Sequence, residues 1–347
     1  MKQLLNTMGK ALAQKDLTRN YDHFCFTEDS IISFNDFIGF KASLPELTIQ
    51  GCFNGALLLN ILNSINKEPI NFEVIKGILK IKSGKTKAQV KGISEKDYVF
   101  EYPTVKPDDI VLKFNPEEDF IKSLEEVSLS MSTDYSVPAR YGITMIAEES
   151  SIDLYASDDT TITSAFVEVE NKRNEEQVTI LIPPHFVKTF IDTCKTYVCK
   201  ELIFTSNYVI AKFNNDLEFF GKLVSGVDSE MYLNMFDELF NDELEEKFIK
   251  IPEDLKEVLN RATILTGADI QIGCNFIFDG KKLQITSVDA RGSIEDEIKF
   301  KGDIEGTFKT SPFLLNRGLS SVDKFYVTEK AFIFSGTGFY YFVALMG

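Results

Sequence analysis

One strand-turn-strand pattern occurs three times along the chain, and this repeat restricts the possible folds more than any other feature of the sequence. The three copies lie at 30–44, 151–167 and 282–298. In each copy, apolar and polar residues alternate on both sides of a short polar turn, which is the pattern of a half-buried β-hairpin. Similar segments at a long, regular period indicate repeated structural units rather than one large irregular domain.

Helical segments complete each unit. The segments that follow the hairpins are 53–67, 183–200 and 310–324, and two further predicted strands follow each of them. In the second segment, Phe186, Phe190, Cys194 and Val198 recur every fourth residue, as on the buried face of a helix. Another helix opens each unit, and in the later two a proline and acidic residues stand at its start. The sequence therefore predicts an α+β chain of three repeated domains, each with two helices on antiparallel sheets. Their predicted bounds are 1–105, 106–240 and 241–347.

Motifs of common enzymes are absent from the sequence. The stretch SGKTKAQ ends like a phosphate-binding loop, but Leu79 occupies the position of the required glycine, so we interpret the stretch as a hairpin turn. His23 and His185 have no neighbours at metal-ligand spacing, and Cys194 and Cys199 lack a second cysteine pair. No GxSxG or GxGxxG motif is present. We therefore expect no enzyme, no metal site and no cofactor.

The adjacent carboxylates Asp158 and Asp159 raise the alternative of acid–base or metal chemistry. They lie in the turn of the second hairpin, and the turns of the other two hairpins, within SFNDF and SVDAR, also hold an aspartate. Aspartate stabilises turns because its carboxylate accepts hydrogen bonds from nearby backbone N–H groups. We therefore interpret the pair as turn residues.

Charge and hydropathy limit the class of protein further. The net charge of −16 argues against binding of nucleic acid over the whole surface, but it leaves room for a basic lining on one face. The sequence has no long apolar run and no signal-peptide pattern at its N-terminus, so we expect no membrane span. Five scattered cysteines are typical of reduced thiols. These features favour a cytoplasmic protein.

Three short motifs, placed in order within the threefold repeat, resemble one protein family. They are KLVSGVDSEM at 222–231, RATILTG at 261–267 and YFVALMG at 341–347. Over essentially its whole length, the chain is similar to the bacterial DNA polymerase sliding clamps, the β clamp processivity factors. This resemblance implies a head-to-tail homodimer that closes a ring of six similar domains around a helix-lined hole. A composition rich in Ile, Lys, Asn and Phe, typical of an AT-rich genome, is consistent with a phage-encoded member acting in the host cytoplasm.

The resemblance implies that the ring encircles duplex DNA without reading its sequence, and that DNA polymerase and the clamp loader dock on it through short peptides. Weak contacts between basic side chains and phosphates allow such a ring to slide. The helical segments together carry a small positive net charge, although the segment 116–131 is acidic. The candidate DNA contacts are Lys2, Lys10, Lys15, Arg19, Lys67, Lys122, Lys188, Lys195, Lys200, Lys256, Arg261, Arg317 and Lys324.

A dimer interface and a pocket for partner peptides are also implied by the resemblance. The interface candidates are Tyr98, Phe100, Ile264 and Leu265. The pocket is expected between the second and third domains, at a strand turn, a strand end and the C-terminal tail. Its candidate residues are Asp159, Thr160, Thr161, Ile162, Ser229, Leu233, Asn234, Phe342, Val343, Ala344, Leu345 and Met346. The family's turn Thr-Asp-Gly-His-Arg-Leu lacks its glycine, histidine and arginine here, so we expect a different peptide preference.

Two other functions stay open at the level of the sequence. One is a monomeric, clamp-like factor that tethers other proteins to DNA or assists transcription without closing a ring. The other is a structural or interaction protein of three α+β repeats with no role on DNA. For single residues, each channel lysine can equally lie on a solvated helix face, and Ile264, Leu265, Phe342 and Val343 can be core residues.

Overall fold

The structure is a computed structural model that describes residues 1–16, 19–44, 49–66, 69–169, 177–224, 234, 236 and 245–347. The described residues form six α-helices and a larger number of strands, so the predicted α+β class is confirmed. The helices are α1 (Lys2–Met8), α2 (Gly55–Ser64), α3 (Glu118–Val127), α4 (Pro184–Cys194), α5 (Leu255–Thr266) and α6 (Pro312–Gly318). None of the helices in the described part of the chain is long and apolar enough to cross a membrane.

The strands are all short, and every paired neighbour is antiparallel. They are β1 (His23–Phe26), β2 (Ser30–Phe34), β3 (Ile38–Ser43), β4 (Gly51–Asn54), β5 (Asn71–Ile75), β6 (Ile78–Ser83), β7 (Thr86–Ile93), β8 (Ile110–Phe114), β9 (Ile143–Ala147), β10 (Ser151–Ser157), β11 (Thr161–Glu168), β12 (Val178–Ile182), β13 (Cys199–Thr205), β14 (Tyr208–Phe213), β15 (Leu217–Lys222), β16 (Ile249–Lys250), β17 (Cys274–Asp279), β18 (Lys282–Asp289), β19 (Gly292–Lys299), β20 (Glu305–Thr310), β21 (Lys324–Val327), β22 (Ala331–Gly336) and β23 (Phe339–Ala344).

The chain packs into two compact units. The described residues within Met1–Glu117 and His185–Ser225 form unit 1, and those within Glu118–Val169, Glu176–Pro184 and Gly226–Gly347 form unit 2. These units describe packing and do not mark repeat boundaries, so the division into domains at 1–105, 106–240 and 241–347 stays a prediction.

Unit 1 is built on one sheet with the order β5-β6-β7-β4-β1-β2-β3-β15-β14-β13-β8. Strand β3 from the first repeat pairs with β15 from the second, with Gly39 opposite Phe220. The helices α1 and α2 bury Leu5, Leu58 and Leu62. The helix α2 starts at Asn54, whose side chain accepts a hydrogen bond from the backbone N–H of Leu57, as expected for a helix cap.

Unit 2 contains two sheets. The larger has the order β12-β9-β10-β11-β23-β22-β21-β16, and the smaller has the order β19-β18-β17-β20. Helix α3 packs on β10 and β11, and α5 packs on α6, β18 and β19. Strand β11 of the second repeat pairs with β23 of the third, so each unit joins two repeats through a continuous sheet.

The second helices of the second and third repeats end earlier than the sequence predicts. The helix predicted at 183–200 ends at Cys194, and Lys200 lies in strand β13. The N–H groups of Thr196 and Tyr197 both bond to the carbonyl of Thr193, which closes the helix there. The helix predicted at 310–324 ends at Gly318, and Lys324 begins β21. These two lysines therefore lie on strands and not on the predicted helices.

Candidate functional site

Two of the three predicted pocket segments, the strand turn and the C-terminal tail, meet at the junction of β11 and β23, inside unit 2. In this pairing Thr161 lies opposite Val343 and Ile162 lies opposite Phe342. Beyond the strands, the N–H of Ala344 donates to the carbonyl of Thr160 at 2.9 Å. The turn between β10 and β11 and the C-terminal residues are therefore adjacent walls of one surface.

The turn itself is fixed by Asp158. Its Oδ1 accepts hydrogen bonds from the Thr160 backbone N–H at 2.8 Å, from the Thr160 hydroxyl at 2.9 Å and from the Thr161 N–H at 2.7 Å. This is the bonding of an aspartate turn, and it leaves that oxygen no further role. No group of three His, Cys, Asp or Glu side chains that could hold a metal ion occurs among the described residues.

Each of the two aspartates faces one arginine. The guanidinium of Arg140, from the segment before β9, forms an ion pair with Asp159. Arg317, in the last turn of α6, donates from Nη2 to the Thr161 hydroxyl at 3.2 Å and lies 3.6 Å from Asp158 Oδ2. The sequence placed Arg317 among the DNA contacts, whereas in the structure it contacts the pocket turn. Arg140 was not predicted at all, because it lies outside the regular elements and matches no periodic pattern.

Phe342 and Val343 are core side chains in unit 2, with exposed fractions of 1% and 0%. Phe342 lies in an apolar cluster with Ala331 and Ile333, and Ile162 and Phe236 pack against that cluster. Among the predicted pocket residues, the accessible ones are the exposed Asp159 and Ala344 and the half-buried Thr160, Ile162, Leu345 and Met346. Asn234 is exposed, and Ser229 and Leu233 lie outside the described residues.

The C-terminal tail is held along its backbone. The Thr310 hydroxyl donates to the Ala344 carbonyl at 2.9 Å, and the N–H of Leu345 bonds to the Lys330 carbonyl at 2.9 Å. The N–H of Met346 bonds to the carbonyl of Lys309 at 2.7 Å. Because the tail is anchored in this way, its side chains are presented in a fixed order beside the β10–β11 turn.

Four of the predicted DNA contacts lie near the helices of unit 1. The Lys2 Nζ donates to the carbonyl of Ile65 at 3.3 Å, and Lys188 is exposed on α4. Lys10 and Lys195 both approach Asp192, with Nζ to carboxylate distances of 2.6 and 3.8 Å. These helices therefore carry an excess of positive charge, with one carboxylate between two of the lysines.

The other candidates in unit 1 lie outside its helices. Arg19 binds Asp36 through both of its terminal nitrogens, at 2.6 and 2.7 Å, and its guanidinium lies 4.6 Å from the centre of the Tyr21 ring. Lys15 is exposed in the segment after α1, and Lys200 is exposed in β13. Lys67 lies outside the described residues.

In unit 2 the candidate cations have acidic neighbours. Lys122 is exposed on α3, with its Nζ 3.7 Å from the Glu126 carboxylate. Arg261 on α5 makes a two-pronged contact with Asp296, the shortest distance being 2.9 Å. Lys256 and Lys324 are exposed.

The four predicted interface residues fall into two groups. Tyr98 is 7% exposed, and the ring of Phe100 stacks on Phe34 at 3.9 Å and on Phe220 at 5.6 Å between centroids. These two side chains pack in the core of unit 1, and their role at a dimer interface stays a prediction. In unit 2, Ile264 is 67% exposed at the end of α5, and Leu265 beside it is half-buried.

Two charged surfaces were not predicted from the sequence. On β6 and β7, lysines alternate so that one face of the sheet carries Lys80, Lys82, Lys87 and Lys91. On β19, an outer strand of the smaller sheet, the exposed side chains include Glu295 and Glu297. In both segments, charged residues alternate with a period of two. This pattern predicts strands, and it also places the charges on one face of each strand.

Comparison with known proteins supports the fold. No protein-family model and no curated protein sequence matches the chain. Among solved structures, the Helicobacter pylori β clamp bound to a DNA ligase peptide matches with a TM-score of 0.82 and 14% identity, over 100% of this chain and 97% of that one. The DNA polymerase III β subunit of Thermotoga maritima matches with a TM-score of 0.82 and 16% identity, over 100% and 96%. That of Streptococcus pneumoniae matches with a TM-score of 0.82 and 17% identity, over 100% and 97%. The chain therefore has the three-domain fold of the bacterial β clamps over its full length, which confirms the resemblance seen in the sequence.

Proposed function

We propose that the protein is a DNA sliding clamp: a homodimeric ring that encircles duplex DNA and docks the polymerase and clamp loader through short peptides. The observation that carries this proposal is the full-length match in fold to the β subunits of DNA polymerase III, at a TM-score of 0.82. The proposed role needs no reaction at the protein, so we class it as a processivity factor without enzymatic activity. Such a factor would work in the cytoplasm, where bacterial or phage DNA is copied.

For the DNA contact, we favour the helix surface of unit 1. Lys2, Lys10, Lys188 and Lys195 lie on or beside α1 and α4, with Asp192 as the carboxylate between them. Exposed lysines on flexible stems bind phosphate weakly and without sequence preference, and this suits a ring that must slide. The remaining basic candidates outside this group stay predictions.

The proposed peptide pocket is the surface formed by the β10–β11 turn and the C-terminal tail. The Helicobacter pylori clamp is described in complex with a DNA ligase peptide, which supports a peptide partner for a chain of the same fold. The accessible apolar side chains at this surface are Ile162, Leu345 and Met346. The ion pair between Arg140 and Asp159 makes the rim of this pocket polar, so a bound peptide would contact charged groups there.

For the homodimer, we propose that β7 of one copy meets β19 of the other. Among the described strands, residues 86–91 of β7 pair with β6 alone, because the pairing of β7 with β4 is confined to Gly92 and Ile93, and β19 is an outer strand of the smaller sheet. Backbone groups on such free sides can pair with another chain. Lysines of β6 and β7 and the carboxylates of Glu295 and Glu297 have opposite charge, which favours this pairing over pairing of like edges. The exposed Ile264 at the end of α5 adds apolar surface in the same unit as β19.

The first test of the function is topological. The protein would be loaded on primed circular DNA, and its retention would be measured before and after the circle is cut once. A ring is expected to stay on the circle and to slide off the linear product, and its native mass should be twice 39.3 kDa. Equal retention on linear DNA by a 39.3 kDa monomer would instead support a tethering factor that does not close a ring.

The edge pairing is tested by charge reversal. One variant would carry Lys87→Glu and Lys91→Glu, and a second would carry Glu295→Lys and Glu297→Lys. Each variant alone is expected to be monomeric, since like charges then meet at both interfaces. An equimolar mixture should recover the dimer, because both of its interfaces are again complementary. A mixture that stays monomeric, or single variants that remain dimers, would contradict this pairing.

A further inference from the structure

Arg317 is a charged side chain that is largely buried, and one of its hydrogen-bond donors is unsatisfied. Its side chain is 28% exposed, and its Nε is buried without a hydrogen-bond partner within the described part of unit 2. A buried donor without a partner destabilises the folded chain. The terminal nitrogens, however, reach the β10–β11 turn, where Nη2 bonds to the Thr161 hydroxyl and faces Asp158.

The base of the Arg317 side chain is held by rigid packing. Its neighbour Gly318 lies against the ring of Tyr341, and a Cβ at position 318 would come within 2.1 Å of Tyr341 Cδ1. The Tyr341 hydroxyl donates to the carbonyl of Leu314 in α6 at 2.8 Å, and burial raises the pKa of Tyr341 to about 12, against the smaller opposing effect of the neighbouring Arg317 cation. Packing against Tyr341 of strand β23 therefore holds this part of α6 in one place. As a result, the backbone from which the Arg317 guanidinium reaches the turn is fixed.

The turn passes this constraint on to the tail. Thr160 accepts the hydrogen bond from the N–H of Ala344, and Thr160 and Thr161 are both bonded to Asp158. A guanidinium bound to Thr161 and facing Asp158 therefore limits how far both walls of the proposed pocket can shift.

We propose that Arg317 is a positioning residue of the peptide pocket: it sets the conformation of the β10–β11 turn and thereby the affinity for partner peptides. Only the effect on peptide affinity rests on the proposed function. The position of the turn can be measured without any ligand.

The test compares Arg317→Leu and Arg317→Lys with the wild-type chain. Arg291→Leu is the matched control, because Arg291 is also an arginine of unit 2 paired with an aspartate. Hydrogen exchange at the Thr160 and Thr161 amides reports on the turn, and urea denaturation reports on global stability. Binding of the DNA ligase peptide that the Helicobacter pylori clamp binds reports on the pocket.

In Arg317→Leu we expect faster exchange at Thr160 and Thr161, peptide binding weakened by about tenfold, and an unchanged urea midpoint. Arg317→Lys should partly restore wild-type exchange and peptide binding, and Arg291→Leu should change neither. Combining Arg317→Leu with Thr161→Val should add little, because both remove the same hydrogen bond. Wild-type exchange in Arg317→Leu, or faster exchange spread over all of unit 2, would overturn the proposal. If the wild type does not bind this peptide, its pocket has a preference different from that of the Helicobacter pylori clamp, and the exchange data alone decide whether Arg317 positions the turn.

Discussion

Truncation of Phe342 to alanine distinguishes a core side chain from a pocket side chain at the most ambiguous position of the predicted site. Phe342 is 1% exposed and lies between Ile162 on β11 and Ile333 on β22 in the strand register. The ring of Phe236 lies 5.7 Å from its ring centre. Because these neighbours enclose the side chain, Phe342→Ala removes a full ring and leaves a cavity, which costs about 3–5 kcal/mol.

The matched control is Phe166→Ala. Phe166 is on β11 of the same sheet, but it is 51% exposed, so its truncation should change stability by only about 0.5 kcal/mol. Urea denaturation followed by far-UV circular dichroism and tyrosine fluorescence would measure both, since the chain contains no tryptophan. With a typical urea slope, the midpoint of Phe342→Ala is expected to fall by about 1 M or more.

A different pattern would refute the assignment of Phe342 to the core. If Phe342→Ala kept the wild-type urea midpoint but lost binding of the DNA ligase peptide, the Phe342 ring of the wild type would contact the peptide and would not stabilise the core. If Phe166→Ala were as destabilising as Phe342→Ala, burial would not be the cause of the loss. Peptide binding by folded Phe342→Ala at low temperature would show that the ring is not part of the pocket.

Two further substitutions test the packing of unit 2. Gly142→Ala should lower the free energy of unfolding by more than about 2 kcal/mol, because Gly142 has φ of +102° and a Cβ there would lie 2.1 Å from the Ile182 carbonyl oxygen. Glu126→Gln should raise the melting temperature at neutral pH. Burial raises the pKa of Glu126 in the folded chain, against the smaller opposing effects of Ser321 and Lys122. The pKa of Glu126 is higher in the folded chain than in the unfolded chain, so ionisation of Glu126 destabilises the fold as pH rises through the folded pKa. The advantage of Gln over Glu should therefore shrink as pH falls through the folded pKa and vanish below the unfolded pKa. Melting temperatures of both chains over a pH series would show the effect, and a constant difference at all pH values would contradict it.

The repeat and its hairpins were predictable because alternation with a period of two reports directly on which side of a strand is buried. Helix ends were less predictable. Val198 continues the four-residue spacing of α4, yet it lies outside the helix and is 67% exposed. Spacing alone cannot show that the helix closes at Thr193, because the closure depends on backbone hydrogen bonds and on the strand β13 that begins at Cys199.

The candidate site was predicted in part for a similar reason. The turn at Asp158 and the tail after Phe342 follow from the resemblance and from turn chemistry, and the structure brings them together. The contacts of Arg140 and Arg317 with this turn join residues that are 19 and 156 positions apart in the chain. No local pattern marks such pairs, so a cation on a helix was assigned to DNA by default.

Tyr98 and Phe100 are interface residues by resemblance only, and their packing leaves that role open. In unit 1, Phe100 stacks on Phe34 and Phe220 beside the junction of β3 and β15. In unit 2, Phe236 packs edge-on against Tyr340 and Phe342 beside the junction of β11 and β23. In both units, then, an aromatic residue from outside the sheet covers the place where strands of two repeats meet.

Buried hydroxyl groups give the threefold repeat a physical basis that its sequence similarity alone does not supply. Ser33, Thr163 and Ser287 are fully buried, and each donates to a backbone carbonyl in the first helix of its repeat: α1 at 2.8 Å, α3 at 2.8 Å and α5 at 3.3 Å. A buried hydroxyl without a partner is costly, so each sheet and helix must keep the relative position that makes this bond. A bond of this kind occurs in each repeat, on the first strand of the hairpin in the first and third repeats (β2 and β18) and on the second strand in the second repeat (β11). Three repeats with a sheet-to-helix bond of this kind support a shared domain architecture, in agreement with the match in fold to the three-domain β clamps.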